Sequence, residues 1–450
     1  MADELRQPHD LAPLTRPEFW TATAPLGHSA RVAESREFPT AGKAPADVLR
    51  LLADAGQHDV RHREGRLFSL VYGVGDEHAR LLADAYGMYL ATNGLGTGFL
   101  FQSLGKFEDE LIGGTLALLG HDEGAGNITS GGTESIIMGL RAAKESRRAA
   151  GTLPAAPEVV VPASAHPAFE KACALMEMQL VRTALRPDTT ADVGAMGAAI
   201  TARTIALAGS APCYPFGTVD DIPEIAALAT ERGLHCHVDA CVGGFALPFL
   251  RASGVSGIPD FDFRLPDVST ISADIHEYGF AARGTSLVLY RDRALQKRAK
   301  FHLGTWAGGP YVTPTLAGSR PGGAVAAAWA VTQYLGRDGY QRLHVALRRT
   351  TERYMDGVRA AGFRVLGNPP MSLFAFAAVD PTVDVGAVAG ELLSRGWVVL
   401  RQPTDPPSLH LLITPRHEAV CDQFCADLAA AVEVAPRQSS GDAPAYGRER

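Results

Sequence analysis

Three short stretches of this chain carry residue types able to do chemistry. Thr129-Ser130-Gly131-Gly132-Thr133-Glu134-Ser135 opens a predicted helix with Ile136, Ile137, Leu140 and Ala143 on its apolar face. Glycines let a backbone approach an anion, and the free N–H groups and dipole of a first helical turn favour a phosphate there. Ser130, Thr133 and Ser135 can add hydroxyl donors. Alone, such a Gly-Gly stretch is no more than a tight turn. Further along, His237-Val238-Asp239-Ala240-Cys241 ends a predicted strand and runs into Gly243-Gly244. A carboxylate buried at the carboxyl end of a sheet needs a cationic partner. A protonated pyridine nitrogen is one such cation, and pairing makes its ring an electron sink. The third is His166, in Pro162-Ala163-Ser164-Ala165-His166. An imidazole there can stack on a flat ring, although alone it reads equally as a satisfied strand-end histidine.

The elements that must position these residues alternate. Short β-branched runs at Val159–Val161, Leu180–Val181, Thr204–Ala208, Leu234–Asp239, Val268–Ile271 and Ser286–Tyr290 are separated by helical stretches. That rhythm predicts a mostly parallel sheet with helices on both faces. Thr218-x-x-Asp221 ahead of Ile222, Ile225 and Leu228 has the shape of a helix start. Helices are expected near Pro45–Ala55, over Glu77–Ala91, over Gly322–Tyr334 (buried) and over Tyr340–Ala361 (amphipathic). After Gly362 the rhythm changes to strands at Phe363–Leu366, Leu373–Ala377, Trp397–Arg401 and Leu409–Ile413, with helices at Val385–Ser394 and Glu418–Val432. The expected layout is an arm over 1–62, a large α/β domain over 63–335, a smaller α+β C-terminal domain over 336–435, and a disordered tail over 436–450.

Composition narrows the function classes. The chain has 450 residues, is 46% hydrophobic and 20% charged, and carries a formal net charge of −7. No basic field is present to attract nucleic acid. The polar, proline-containing start shows no signal peptide, and no run is long and apolar enough to span a membrane. A reduced, cytoplasmic protein is expected from the scattered cysteines. His235-Cys236-His237-x-Asp239-x-Cys241 has metal-ligand residue types, but strand alternation sends them to opposite faces, so no metal site is expected. Lysine is scarce: Lys43, Lys106, Lys144, Lys171, Lys297 and Lys300 are the whole set.

Together with Ser272-Ala273-Asp274-Ile275-His276-Glu277-Tyr278-Gly279-Phe280, these stretches resemble the fold-type I pyridoxal-phosphate (PLP) enzymes. The branch is that of group II decarboxylases and sphingosine-1-phosphate lyases, with the lyase the nearer. Ordered similarities include Gly126–Ser135, Ser164–Lys171, Gly209–Pro212, Phe216–Asp221, His237–Gly244, Ser272–Tyr290, Pro314–Gly323 and the stretch from His410 to Pro415. The resemblance implies a PLP-transferase-like α/β fold and a homodimer with active sites at its interface. It implies that Gly132 and Thr133 hold the cofactor phosphate, His166 stacks on the ring, Asp239 pairs with the ring nitrogen and His276 lies beside the phosphate. Ser319 and Arg320, in Gly318–Arg320, would come from the neighbouring subunit. The implied substrate is a small amine, amino acid or amino alcohol derivative.

The pattern breaks at Glu277, which stands where this family carries the lysine that holds the cofactor as a Schiff base. A carboxylate cannot form that bond. The family's Asn-Pro-Leu-His reads Asn93-Gly94-Leu95-Gly96 here, and the lyase's second lysine is matched by Arg283. Glu277 is shorter than lysine and brings negative charge towards Asp239 and a phosphate. Burial and like charges should raise its pKa and suit it to general acid–base work. Three readings follow. The enzyme binds PLP or its amine form, PMP, noncovalently, with Glu277 or His276 moving protons and His166 stacking. Alternatively, the scaffold serves PLP-independent chemistry through Glu277. Finally, it is a catalytically inactive homologue, natural or engineered.

Overall fold

A computed structural model of the chain describes residues 38–57 and 59–436. Of the expected arm, 1–37 lie outside the described residues, as does the expected tail apart from Pro436. The chain begins with α1 (Pro45–Gly56), α2 (Asp76–Met88) and α3 (Gln102–Leu118). The alternating region follows: β1 (Ala125–Thr129), α4 (Gly132–Ala149), β2 (Glu158–Pro162), α5 (Ala168–Leu175), β3 (Gln179–Thr183), α6 (Val193–Ala199), β4 (Thr204–Ser210), α7 (Ile222–Glu231), β5 (His235–Asp239), α8 (Leu247–Ala252), β6 (Thr270–Asp274), β7 (Ser286–Tyr290) and α9 (Arg293–Ala299). After a hairpin of β8 (Phe301–Leu303) and β9 (Tyr311–Thr313) come α10 (Gly322–Ala360), β10 (Phe363–Val365), β11 (Leu373–Ala378), α11 (Val385–Ser394), β12 (Leu400–Gln402), β13 (Ser408–Leu412) and α12 (Cys421–Val434).

The seven-stranded central sheet has the order β1-β7-β6-β5-β4-β2-β3. Only β7 runs against its neighbours; β6-β5, β5-β4, β4-β2 and β2-β3 pair in parallel. Strands covered on both faces read as continuous apolar runs, and β2 shows why. Val160 joins the core formed with Ile222 and Ile225 of α7, while Val159 and Val161 join Ile137 and Leu140 of α4 and Phe169 of α5. The smaller sheet is antiparallel throughout, in the order β10-β11-β13-β12.

Several elements depart from the expected ones. The strand expected at Val268–Ile271 instead covers Thr270–Asp274, so the polar Ser272 and Asp274 lie inside it and are buried. β1, Ala-Gly-Asn-Ile-Thr, has no β-branched run to mark it, and three glycines in α3 hide a helix behind low intrinsic propensity. The start of α7 is set by Asp221, whose carboxylate accepts from the Glu224 N–H at 3.2 Å, while the Thr218 hydroxyl turns to Thr189. The two expected helices at 322–361 are continuous except at Gly336, whose φ of 57° and ψ of 177° are open to glycine alone.

The approach to the site from the N-terminal side is held by Phe68. Its backbone bridges both parts of the molecule: Phe68 N–H donates to Val398 and Leu412 N–H donates to Phe68, at 3.0 and 3.1 Å. The fully buried ring packs on Tyr354, Trp397, His417 and Phe424, with ring centres 4.4–6.1 Å away. This anchor sets the course of Ser69–Tyr72 across the sheet edge. Phe68→Ala should cost about 3–5 kcal/mol through lost burial and a residual cavity, read from the midpoint of urea unfolding; a cost under about 1 kcal/mol would show that the site collapses around the smaller side chain.

Candidate active site

Ligand sites of open α/β sheets lie at the carboxyl ends of the parallel strands. Here that edge brings Ser210, Asp239 and Ser272 into one row, since Ser210 pairs with Asp239 in register and Asp239 pairs with Ser272. Asp239 is buried, and its Oδ1 accepts from Cys241 N–H at 3.1 Å and Ser272 Oγ at 3.2 Å. Among the described residues it forms no ion pair, so the cation that a buried carboxylate calls for must come from a ligand. His235 and His237 share one face of β5, and both reach the Thr270 hydroxyl at 2.8 Å. Burial lowers their pKa values to about 4 and about 3, which leaves both rings neutral near pH 7.

Asp274, at the end of β6, ties the second half of the site together. Its carboxylate accepts from Ser286 Oγ at 2.5 Å and from the Gly132 N–H at 3.2 Å, and lies 3.2 Å from His276 Nε2. The His276 Nδ1 accepts from Thr285 N–H at 3.2 Å, which leaves Nε2 as the nitrogen facing Asp274. Gly132 is required at its position: a Cβ there would meet Cys241 Sγ at 2.5 Å and the Asp274 carboxylate at 3.1 Å. The first turn of α4 is further held by Glu134, which accepts from the Ser130 N–H and hydroxyl through one oxygen and from Leu316 and Ala317 N–H through the other. Glu134 thereby fastens the 316–317 segment over the helix start. A short polar sequence with an acid four residues after Ser130 was the available signal for it.

Glu277 follows in the turn Ile275–Phe280. The buried side chains of Ile275, Tyr278 and Phe280 anchor this turn, and the Tyr278 hydroxyl donates to the carbonyls of Ser372 and Ile413. Gly279 leaves no room for a Cβ, which would meet the Ile275 carbonyl oxygen at 2.4 Å. Held this way, the carboxyl of Glu277 enters the site. The Tyr72 hydroxyl lies nearby, while Oε2 is buried without any partner. Burial, then the Asp274 charge, push its pKa up to about 8, and Asp239 adds to this; Arg283 and the Tyr72 hydroxyl act in the opposite sense. Arg283 stays outside: its guanidinium donates to the Leu70 carbonyl and lies over the Tyr72 ring, 5.2 Å from its centre. Burial raises the Tyr72 and Tyr214 hydroxyl pKa values, with Glu277 adding to both.

The expected site residues are therefore not all in equivalent positions. Asp239, Asp274, His276, Glu277 and the α4 start converge. Asp274, His276 and Glu277 each bring one atom of metal-ligand type within 4.8 Å of the others, and the His276–Asp274 contact at 3.2 Å accounts for two of the three. His166 sits at the beginning of α5 with its ring exposed and Nδ1 accepting from Ala168 N–H at 3.1 Å. Ser319 accepts from Asn93 at 3.0 Å. Arg320 is buried in its own chain, paired with Glu108 and donating to the carbonyls of Gly94 and Ile128, so its guanidinium does not face Asp239 in this chain. Tyr72 and Tyr214 were not legible as site residues because they lie in loops outside every motif.

The residues present fit a flat, cationic, phosphorylated heterocycle, with Asp239 for the ring nitrogen and the α4 start for the phosphate. No lysine completes them. Lys106 pairs with Glu110, Lys144 donates to the Met176 carbonyl, Lys43, Lys171 and Lys297 are exposed, and Lys300 ends α9.

Residues 107–379 match the family described as the pyridoxal-dependent decarboxylase conserved domain. The chain belongs to this family. It is 39% identical over 398 residues to a sphingosine-1-phosphate lyase of Arabidopsis thaliana, covering 85% of this chain and 72% of that one. It is 32% identical to a probable L-tyrosine/L-aspartate decarboxylase of Methanothermobacter thermautotrophicus, covering 73% and 88%. The solved sphingosine-1-phosphate lyase of Burkholderia pseudomallei superposes with a TM-score of 0.84 at 36% identity, over 89% of this chain and 92% of that one. The expected fold class is thus the observed one. Among the described residues, no helix is long and apolar enough to cross a membrane.

Because Glu277 binds its proton more tightly folded than unfolded, the stability it contributes is full below its ordinary value of 4.5 and is lost as pH rises through about 8. Glu277→Gln removes this dependence. The variant's unfolding free energy relative to the parent should rise by about 4 kcal/mol from about pH 5 to about pH 9, measured by urea denaturation; a pH-independent difference would exclude the raised pKa.

Proposed function

We propose that this chain is a lyase- or decarboxylase-like enzyme of the pyridoxal-dependent family that holds PLP or PMP without a covalent bond. Its substrate is a small amine or amino-acid derivative, and Glu277 serves as the acid–base group. The observation that carries the reading is the buried, partnerless Oε2 of Glu277 in a site otherwise equipped for the cofactor. Asp239 would hold the ring nitrogen proton. Thr133 and the first turn of α4 would hold the phosphate beside His276, with the Gly132 N–H already given to Asp274. His166, exposed at the sheet edge, is free to cover the ring.

When bound, the protonated ring withdraws electrons from the bonds of the attached amine-bearing carbon. Glu277, poised near neutrality, would take or give a proton at Oε2, and Tyr72 would fix the orientation of the carboxyl. Both nitrogens of His276 are engaged with Thr285 and Asp274, which favours a positioning role for His276 over proton transfer. We further propose a homodimer that completes the site: Met88, Phe99 and Trp306 stand in solvent in the single chain, at 80%, 81% and 57% exposure. Gly318–Arg320 would then serve the neighbouring site through its backbone and Ser319, since Arg320 itself is committed to Glu108.

Calorimetric titration with PLP and PMP tests the reading. Saturable binding is expected, and borohydride treatment followed by mass spectrometry should leave no cofactor attached to the chain. Glu277→Lys should gain such a reducible attachment, and Asp239→Ala should weaken binding at least about tenfold, the equivalent of about 1.4 kcal/mol. Failure of both cofactor forms to bind would reject the reading and leave PLP-independent use of Glu277, or an inactive scaffold, in its place.

A further inference from the structure

We propose that Glu277 makes this pocket selective for the amine form of the cofactor over the aldehyde form, by pairing its carboxylate with the cofactor's ammonium group. The inference rests on the functional reading above and deepens it.

Three carboxylates, Asp239, Asp274 and Glu277, lie near one another at the carboxyl edge of the sheet. The first two are already satisfied in part: Asp239 by Cys241 N–H and Ser272, Asp274 by Ser286, Gly132 N–H and His276. Glu277 is the exception, with Tyr72 on one side and nothing on Oε2, an atom without solvent exposure. An unpaired buried acceptor is costly, and a charged one more so. Among the described residues Glu277 forms no ion pair; Arg283, the cation nearest in effect, is exposed and spent on the Leu70 carbonyl and the Tyr72 ring. The pocket is therefore short of one cation at Oε2.

The two cofactor forms differ at the one position that matters. With the ring nitrogen at Asp239 and the phosphate at the α4 start, the substituent on ring carbon 4, where the two forms differ, would be presented to Glu277, which stands at the position of the family's Schiff-base lysine. In the amine form that substituent ends in an ammonium group, which donates hydrogen bonds and carries the missing charge. In the aldehyde form it ends in a neutral acceptor oxygen, which brings no charge to stabilise the ionised form of Glu277. A site built to pair with a donor discriminates strongly against an analogue that lacks it, because its own buried group is then left unpaired. The consequence is a resting protein that retains the amine form and has little hold on the aldehyde.

Three ligands separate the possibilities: PMP, PLP and 4-deoxypyridoxine phosphate, which has the same ring and phosphate but a methyl group at the deciding position. Binding is read by calorimetry on the purified full chain. PMP should bind at least about tenfold more tightly than either of the others. Glu277→Gln should lose about tenfold for PMP and keep its affinity for the deoxy compound, whose binding also reports that the variant is folded. Equal or tighter binding of PLP, or an unchanged PMP affinity in Glu277→Gln, overturns the selectivity while leaving noncovalent cofactor binding intact. Absence of binding by all three overturns both the functional reading and this inference.

Discussion

The carboxylate of Asp274 is the interaction on which the site depends. It joins the first turn of α4 to the end of β6, the start of β7 and the imidazole of His276. A fixed negative charge at a helix N-terminus is favourable, and here it also places the Gly131-Gly132 turn at a defined height above the sheet. Ser286 passes the constraint on through Ser135 to Thr129, so β1, α4 and β7 are linked by buried hydroxyls 2.6–2.7 Å apart. A row of short, satisfied hydrogen bonds of this kind rigidifies the strand ends and leaves little freedom to the groups above them.

What that rigid base supports is an excess of negative charge. Asp239, Asp274 and Glu277 lie close together, and Glu277 bears the consequence, with a pKa of about 8 and a buried Oε2 without a partner. The other carboxylates receive backbone and hydroxyl donors that stabilise their charge. The difference in environment, rather than in residue type, sets Glu277 apart from the other two. Tyr72 adjusts this balance, since its hydroxyl lowers the Glu277 pKa and its ring carries Arg283.

Distant parts of the chain hold this arrangement closed. Tyr278, next to Glu277, is fastened to carbonyls of Ser372 and Ile413 beside the smaller sheet, and Phe68 fastens the Tyr72 segment to the same region. Glu134 fastens residues 316–317. The turn carrying Glu277 is thus gripped from both sides, with Phe280 in a left-handed conformation at φ of 58° that its buried packing sustains.

The sequence by itself determined the class of fold and singled out Glu277. Alternating apolar runs identified six strands of the central sheet, and the motifs around Gly132, Asp239 and Glu277 marked residues that do converge. Those signals survive because they are local: periodicity, turn chemistry and residue type are written in consecutive positions. Only the tertiary structure decided which groups are free. It committed His276 to Thr285 and Asp274, and Arg320 to Glu108, and it brought in Tyr72 and Glu134 across long separations in the chain. Hydrogen-bond satisfaction is a property of neighbours in space, so a sequence that announces a carboxylate at position 277 cannot say that one of its oxygens has no partner.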